Sequence, residues 1–250
     1  MAGAAGNLAR HRGDYGVDAP YAPMTLGGIA LAMLIVSAIL ALAGSSLWVA
    51  FLIGGVWMAL STASFLYTTR AGKFAVWARL LRQLDLRGDE RILDMGSGRG
   101  AVLMMAAKVV PRGRAIGLDL WKSADQSGNT LDAARRNADL EGVAQRVELV
   151  TGDMTAMPFE PDSFDLVLSA LAIHNITNPD GRRKAIDEAF RVLKPGGRLQ
   201  IADFRSTDGY ASRLRELGAT DVTERPLDWH YWYGGPWTAT KLVSATKPAR

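Results

Sequence analysis

At 250 residues the chain has room for one full domain and an accessory element. It has no cysteine, which excludes disulfides, thiolate metal sites and cysteine nucleophiles. A net charge of +4 with 22% charged residues gives little support to a general nucleic-acid role, and His11, His174 and His230 are too scattered to suggest a metal site.

Residues 1–23 are rich in Ala, Gly and polar residues and read as a mobile arm. No charged residue falls between Ala19 and Thr69. Within that window Thr25–Ala43 and Leu47–Tyr67 each approach the ~20 residues needed to cross a bilayer, with the polar turn Gly44-Ser45-Ser46 between them. Residues 24–69 therefore read as a transmembrane helical hairpin. Gly28 and Ala32 on one helix, and Ala59 and Ala63 on the other, are small residues spaced for close packing. A buried soluble hairpin and a signal peptide cleaved after Ala43 are the alternatives. Basic residues on both flanks (Arg10 and Arg12; Arg70, Lys73, Arg79 and Arg82) place both ends of the hairpin in the cytoplasm.

Residues 70–88 hold an amphipathic connecting helix. Phe74, Trp77, Leu80, Leu81 and Leu84 form one face, suited to packing on the following domain or to lying in the lipid interface. From residue 89 to residue 250 strands and helices alternate. Strands are expected from Arg91 up to Asp94 and at Arg114–Asp119, Arg146–Val150, Asp165–Ser169, Gly197–Phe204, Asp221–Glu224 and Lys241–Ala245. The fold class is α/β, a doubly wound, mainly parallel seven-stranded sheet.

In such a sheet ligands sit beyond the carboxyl ends of the strands. After the first strand come Asp94, Gly96, Ser97, Gly98 and Gly100, a strand–turn–helix pattern that suits a nucleotide-like ligand. Alone it also fits a nicotinamide site. Asp119 ends the second strand at the spacing at which an acid accepts both ribose hydroxyls, and Leu120 and Trp121 can flank a purine. Asp153, after the third strand, can accept from an adenine amine.

Three acids at three consecutive strand ends carry a resemblance. Leu93–Gly100, Gly117-Leu118-Asp119, Gly152-Asp153-Met154, Phe159–Asp165 and Arg191–Leu199 resemble the class I S-adenosylmethionine-dependent methyltransferases, and among them the small-molecule branch that includes quinone-biosynthesis enzymes. The likeness runs from about Asp85 to Pro248 and omits the hairpin. It implies S-adenosylmethionine as cofactor, with Asp94, Gly96 and Gly98 at its methionine part, Asp119 at the ribose, and Asp153 with Met154 at the adenine. Ser97, Gly100 and Ser169 complete the expected cofactor wall. His174, after the fourth strand, is the candidate catalytic base, with a structural histidine as the alternative reading.

Trp229–Trp237 is dense in aromatics that could line an apolar pocket, sit at a membrane surface, or pack on the sheet. The expected protein is a membrane-anchored methyltransferase for a lipid, quinone or other amphiphile, with the bilayer as partner and no nucleic acid. A tethered enzyme for a soluble metabolite, and a non-catalytic cofactor binder, are the rival readings. Because every expected cofactor residue follows Arg91, removal of residues 1–69 should leave cofactor binding intact.

Overall fold

A computed structural model describes residues 8–249. The start of the expected arm, residues 1–7, lies outside the described residues.

Two apolar helices come first, α1 (Tyr21–Leu42) and α2 (Trp48–Tyr67). Both are long and apolar enough to cross a membrane, with mean hydropathy of 2.4 in the first and 1.8 in the second. Ile29, Leu31, Ile35, Ile39, Ile53 and Leu60 are exposed, so the pair is not the buried hairpin of a soluble core. The contact face differs from the expected one. Gly28, Ala32, Ala59 and Ala63 all point outward. The inward stripe on α1 is Pro23, Ala30 and Ser37, a seven-residue spacing, met by Gly55, Ser61 and Phe65 on α2. Ser37 Oγ donates to the Trp48 carbonyl at 2.8 Å, satisfying its hydroxyl inside the pair. The phase of α2 is fixed instead by what its C-terminal half docks on.

α2 does not end at Tyr67. It passes through a π-helical turn, Thr68–Gly72, directly into α3 (Lys73–Gln83). The second hairpin helix and the connecting helix are therefore one continuous 36-residue helix, Trp48–Gln83. Gly72 is needed there, because a Cβ would run into the His230 carbonyl. The apolar face of α3 is buried, with Trp77 at 0% exposure and its Nε1 donating to Tyr231 Oη at 3.0 Å.

The sheet follows: β1 (Arg91–Met95), β2 (Arg114–Asp119), β3 (Val147–Thr151), β4 (Phe164–Ala170), β5 (Leu193–Asp203), β6 (Thr220–Pro226) and β7 (Lys241–Thr246). Its order is β3-β2-β1-β4-β5-β7-β6, parallel from β3 to β5, with β7 antiparallel to both neighbours. α4 (Ala101–Val109) and α5 (Leu131–Leu140) join α3 on one face, over Ile92, Ala115 and Leu166. α6 (Pro179–Val192) and α7 (Thr207–Glu216) cover the other, over Leu93, Ile116 and Val167. A parallel sheet buried on both faces needs apolar residues at consecutive positions, which is what Ile92-Leu93 and Leu166-Val167-Leu168 supply. Thr130 caps α5 through a 3.1 Å bond from Ala133 N, and Asn178 caps α6 ahead of Pro179.

Residues 8–20 are not a free arm. Glu141 Oε1 accepts from Arg12 N (2.7 Å), Gly13 N (2.8 Å) and Tyr15 Oη (3.1 Å), and Tyr15 is buried. Arg99 pairs with Asp14 at 2.8 Å. The polar groups that gave this segment its disordered composition are the groups that fasten it.

Candidate functional site

A cleft of about 360 Å³ opens at the carboxyl ends of β1 to β4. Asp94, Gly96, Ser97, Gly98, Asp119, Leu120, Asp153 and Met154 line it. The loop after β2 folds over the glycine turn. Gln126 Oε1 accepts from Arg99 N (2.8 Å), and Asn129 Nδ2 donates to Asp119 Oδ1 (3.2 Å). Asp119 Oδ2 accepts from Gly98 N at 2.8 Å, which ties the end of β2 to the turn after β1. Gly96 and Gly98 hold positive φ (71° and 53°), and a Cβ on Gly98 would collide with Gln126.

Three buried polar atoms on this lining, Asp94 Oδ1, Ser97 Oγ and Asn129 Oδ1, have no hydrogen-bond partner among the described residues. Burial pushes the Asp94 carboxyl up to about 7, with repulsion from Asp119 adding to it. Unpaired buried acceptors and a destabilised carboxylate call for a ligand that brings donors and positive charge. S-adenosylmethionine, with ribose hydroxyls, an ammonium and a sulfonium, fits that demand.

Other expected residues fall outside the lining. Gly100 caps α4. Ser169 is fully buried and donates to the Met95 carbonyl at 2.9 Å, holding β4 to the end of β1. Trp121 Nε1 donates to Thr151 Oγ1 at 2.8 Å, so the indole rests on the end of β3, outside the cleft's lining. His174 lies in a short 3₁₀ turn, Ile173–Asn175, whose neighbours Ala172 and Asn175 line the cleft. Its Nδ1 is 2.7 Å from Asp203 Oδ1, and its backbone N–H donates to Asp203 Oδ2 at 3.2 Å. Asp203 is fully buried at the end of β5.

The aromatic segment mostly grips the hairpin. Trp237 stacks on Trp57 (5.4 Å between centroids), Trp229 on Tyr67 (5.3 Å), and Tyr233 meets Phe65 edge-on (5.0 Å). Ser64 and Thr68 hydroxyls both donate to the Trp232 carbonyl (3.1 and 2.9 Å). Of this segment Tyr231 alone is among the cleft's lining residues.

Sequence reasoning missed Asp18, Lys73, Gln126, Asn129 and Asp203. Asp203 ends a strand in the same way as Asp94 and Asp119, so the rule that found those acids extends to it. The polar run Asp125-Gln126-Ser127-Gly128-Asn129 directly after β2 was a further available signal. Nothing local marked Asp18, whose partners are remote in sequence.

Residues 92–197 match the family described as "Methyltransferase domain". A ubiquinone/menaquinone biosynthesis C-methyltransferase from Ruegeria sp. is 36% identical over 157 residues, 62% of this chain and 59% of that protein. The chain thus spans under two thirds of that relative's length. A methyltransferase structure from Aquifex aeolicus superposes with a TM-score of 0.53 at 19% identity, covering 68% of this chain and 88% of that one. The [4+2]-cyclase SpnF gives a TM-score of 0.55 at 19% identity over 69% of this chain and 82% of its own; both are likenesses of fold. The sheet domain thus shares the fold of S-adenosylmethionine-dependent methyltransferases, and its residues 92–197 are similar in sequence to the methyltransferase domain.

Proposed function

We propose that the protein is anchored in a membrane by α1 and α2 and methylates an apolar or amphiphilic small molecule, lipid or quinone-like, by direct transfer. One observation carries this reading. Tyr231 lines the cleft while Trp229, Tyr233 and Trp237, from the same short segment, pack along α2. Cleft and apolar hairpin share a wall, so a substrate dissolved in the bilayer would have a short path to the reacting centre. The name of the Ruegeria relative, a quinone-biosynthesis enzyme, points to the same substrate class. Residues 8–20 and α3 both pack on the domain, which supports a hairpin with both ends on the domain's side, taken here as cytoplasmic.

The bound cofactor supplies an activated methyl on a sulfonium. The chain's residues must hold it, align the acceptor and keep water away. Asp94 would face the cofactor's ammonium, Asp119 and Asn129 the ribose, and Asp153, Leu120 and Met154 the adenine. His174, oriented by Asp203, would take the acceptor's proton or fix its direction. Incubation of the purified protein with labelled S-adenosylmethionine and total lipid extract, against polar metabolites, tests the proposal. Label transferred to polar metabolites and not to lipid would replace it with a tethered enzyme for a soluble substrate.

A further inference from the structure

The hairpin and its flanks reach the cofactor cleft. Asp18, just before α1, and Lys73, the first residue of α3, both line it, Lys73 buried and Asp18 half-buried. Lys73 Nζ donates to both Asp18 oxygens, at 3.0 and 2.8 Å. Asp18 is further held by Thr69 Oγ1 (2.7 Å), Tyr233 Oη (2.8 Å) and Gln126 Nε2 (2.9 Å). Burial alone would raise the Asp18 carboxyl, but Lys73 and these hydroxyls hold it below the usual range. The carboxylate is saturated with donors, whereas an ammonium has three N–H groups and can serve a further acceptor.

Charge along the cleft shows what that acceptor is. Among the described lining residues the cations are Lys73 and Lys122. Lys122 follows β2 and lies near Asp125. Lys73 is tied to the glycine turn after β1, because its partner Asp18 accepts from Gln126 Nε2 (2.9 Å) and Gln126 Oε1 accepts from Arg99 N (2.8 Å). That is the end over β1, where the unpaired Asp94 oxygen awaits a cation. A ligand tail bearing an ammonium for Asp94 also bears a carboxylate, and Lys73 is the cation within that end of the cleft.

We propose that Lys73, positioned by Asp18, receives the α-carboxylate of the cofactor's methionine tail, so that the segments flanking the hairpin complete a site the methyltransferase domain leaves unfinished. The inference concerns the cofactor and holds whatever the substrate is.

The test is calorimetric binding to the full-length, detergent-solubilised protein of three probes. These are S-adenosylhomocysteine, its analogue lacking only the α-carboxylate, and 5′-methylthioadenosine, which has no amino-acid tail. The wild type should prefer S-adenosylhomocysteine over the carboxylate-free analogue by about ten- to a hundredfold. Lys73→Met and the milder Lys73→Gln should each erase that preference and leave 5′-methylthioadenosine binding unchanged, and Asp18→Asn should narrow it. A preference that survives both Lys73 substitutions overturns the proposal. So does equal weakening of all three probes in the Gln variant, because that marks a purely structural pair.

Discussion

His174 Nδ1 lies 2.7 Å from Asp203 Oδ1, so the imidazole after β4 is oriented by the last residue of β5. The contact leaves Nε2 as the ring nitrogen that faces away from the carboxylate. If His174 acts as base, His174→Ala should lower kcat by about a hundred- to ten-thousandfold with little change in cofactor affinity. Asp203→Asn should lower kcat and alter the pH–rate profile. Single-turnover rates across pH check both, and a His174→Ala enzyme with wild-type kcat would leave the histidine a structural role.

Asp119 joins the ends of β1 and β2 through Gly98 N and is expected to take the ribose hydroxyls. Asp119→Ala should weaken S-adenosylhomocysteine by about ten- to a hundredfold, the equivalent of ~1.5–3 kcal/mol for a charge-assisted bond. Equilibrium dialysis decides it, and an unchanged affinity would remove Asp119 from the ribose site.

Asp94 gives a pH prediction. Burial raises its carboxyl to about 7, so in the ligand-free protein it is protonated on the acid side of that value. The raised value means its contribution to folding stability is fully present below the ordinary carboxylate range and lost as pH rises through about 7. Binding a cationic tail reverses the preference, because the ionised form is then the paired one. Cofactor affinity should therefore rise from pH 6 to pH 8 and level off above, by at most about tenfold per pH unit. Proton release on binding should appear in calorimetry run in two buffers of different ionisation heat. Asp94→Asn should abolish the release; release that persists in that variant assigns the proton elsewhere.

The sheet and much of the cleft's lining were legible because they depend on local pattern. Consecutive apolar residues stop at an acid or a glycine at the ends of β1 and β2, and a strand's carboxyl end is where ligands sit. What stayed hidden depends on distant pairing. Asp18 gains its meaning from Lys73, Thr69, Gln126 and Tyr233, which no spacing rule connects. The phase of the hairpin was misread for the same reason. Small residues four apart suggest a contact face, but docking of Phe65 and Ser64 on the aromatic segment rotates α2 so that Ala59 and Ala63 face outward. Trp229–Trp237 could not be divided by composition into a hairpin-gripping part and a single cleft residue.

Deleting residues 1–69 was expected to spare the cofactor site. The clasp on Lys73 reverses that expectation, because the deletion removes Asp18 and Thr69 together. The truncated protein should bind S-adenosylhomocysteine at least about tenfold more weakly. Undiminished binding by a folded truncation, checked by circular dichroism, would show that the clasp is dispensable.

A cleaner probe of substrate access leaves the clasp in place. Residues 31–53 form the outer part of the hairpin, beyond the Trp57–Trp237 contact. At ~1.5 Å per residue, Trp57 lies about 15 Å further along the helix than Tyr67, so the aromatic segment already reaches well up the apolar surface. Replacing residues 31–53 with a short Gly/Ser linker keeps Asp18, Lys73 and the aromatic grip, and cofactor affinity should stay within about threefold of wild type. It removes most of the exposed apolar surface that would hold the domain in lipid. If the cleft draws its substrate from the bilayer, methylation of a lipid in vesicles should collapse. Methylation of a short-chain, water-soluble analogue of that lipid should persist, since that substrate needs no membrane to meet the cleft. Equal activity on both substrates would mean that the hairpin only tethers the domain, and that Tyr231 forms part of a pocket filled from water.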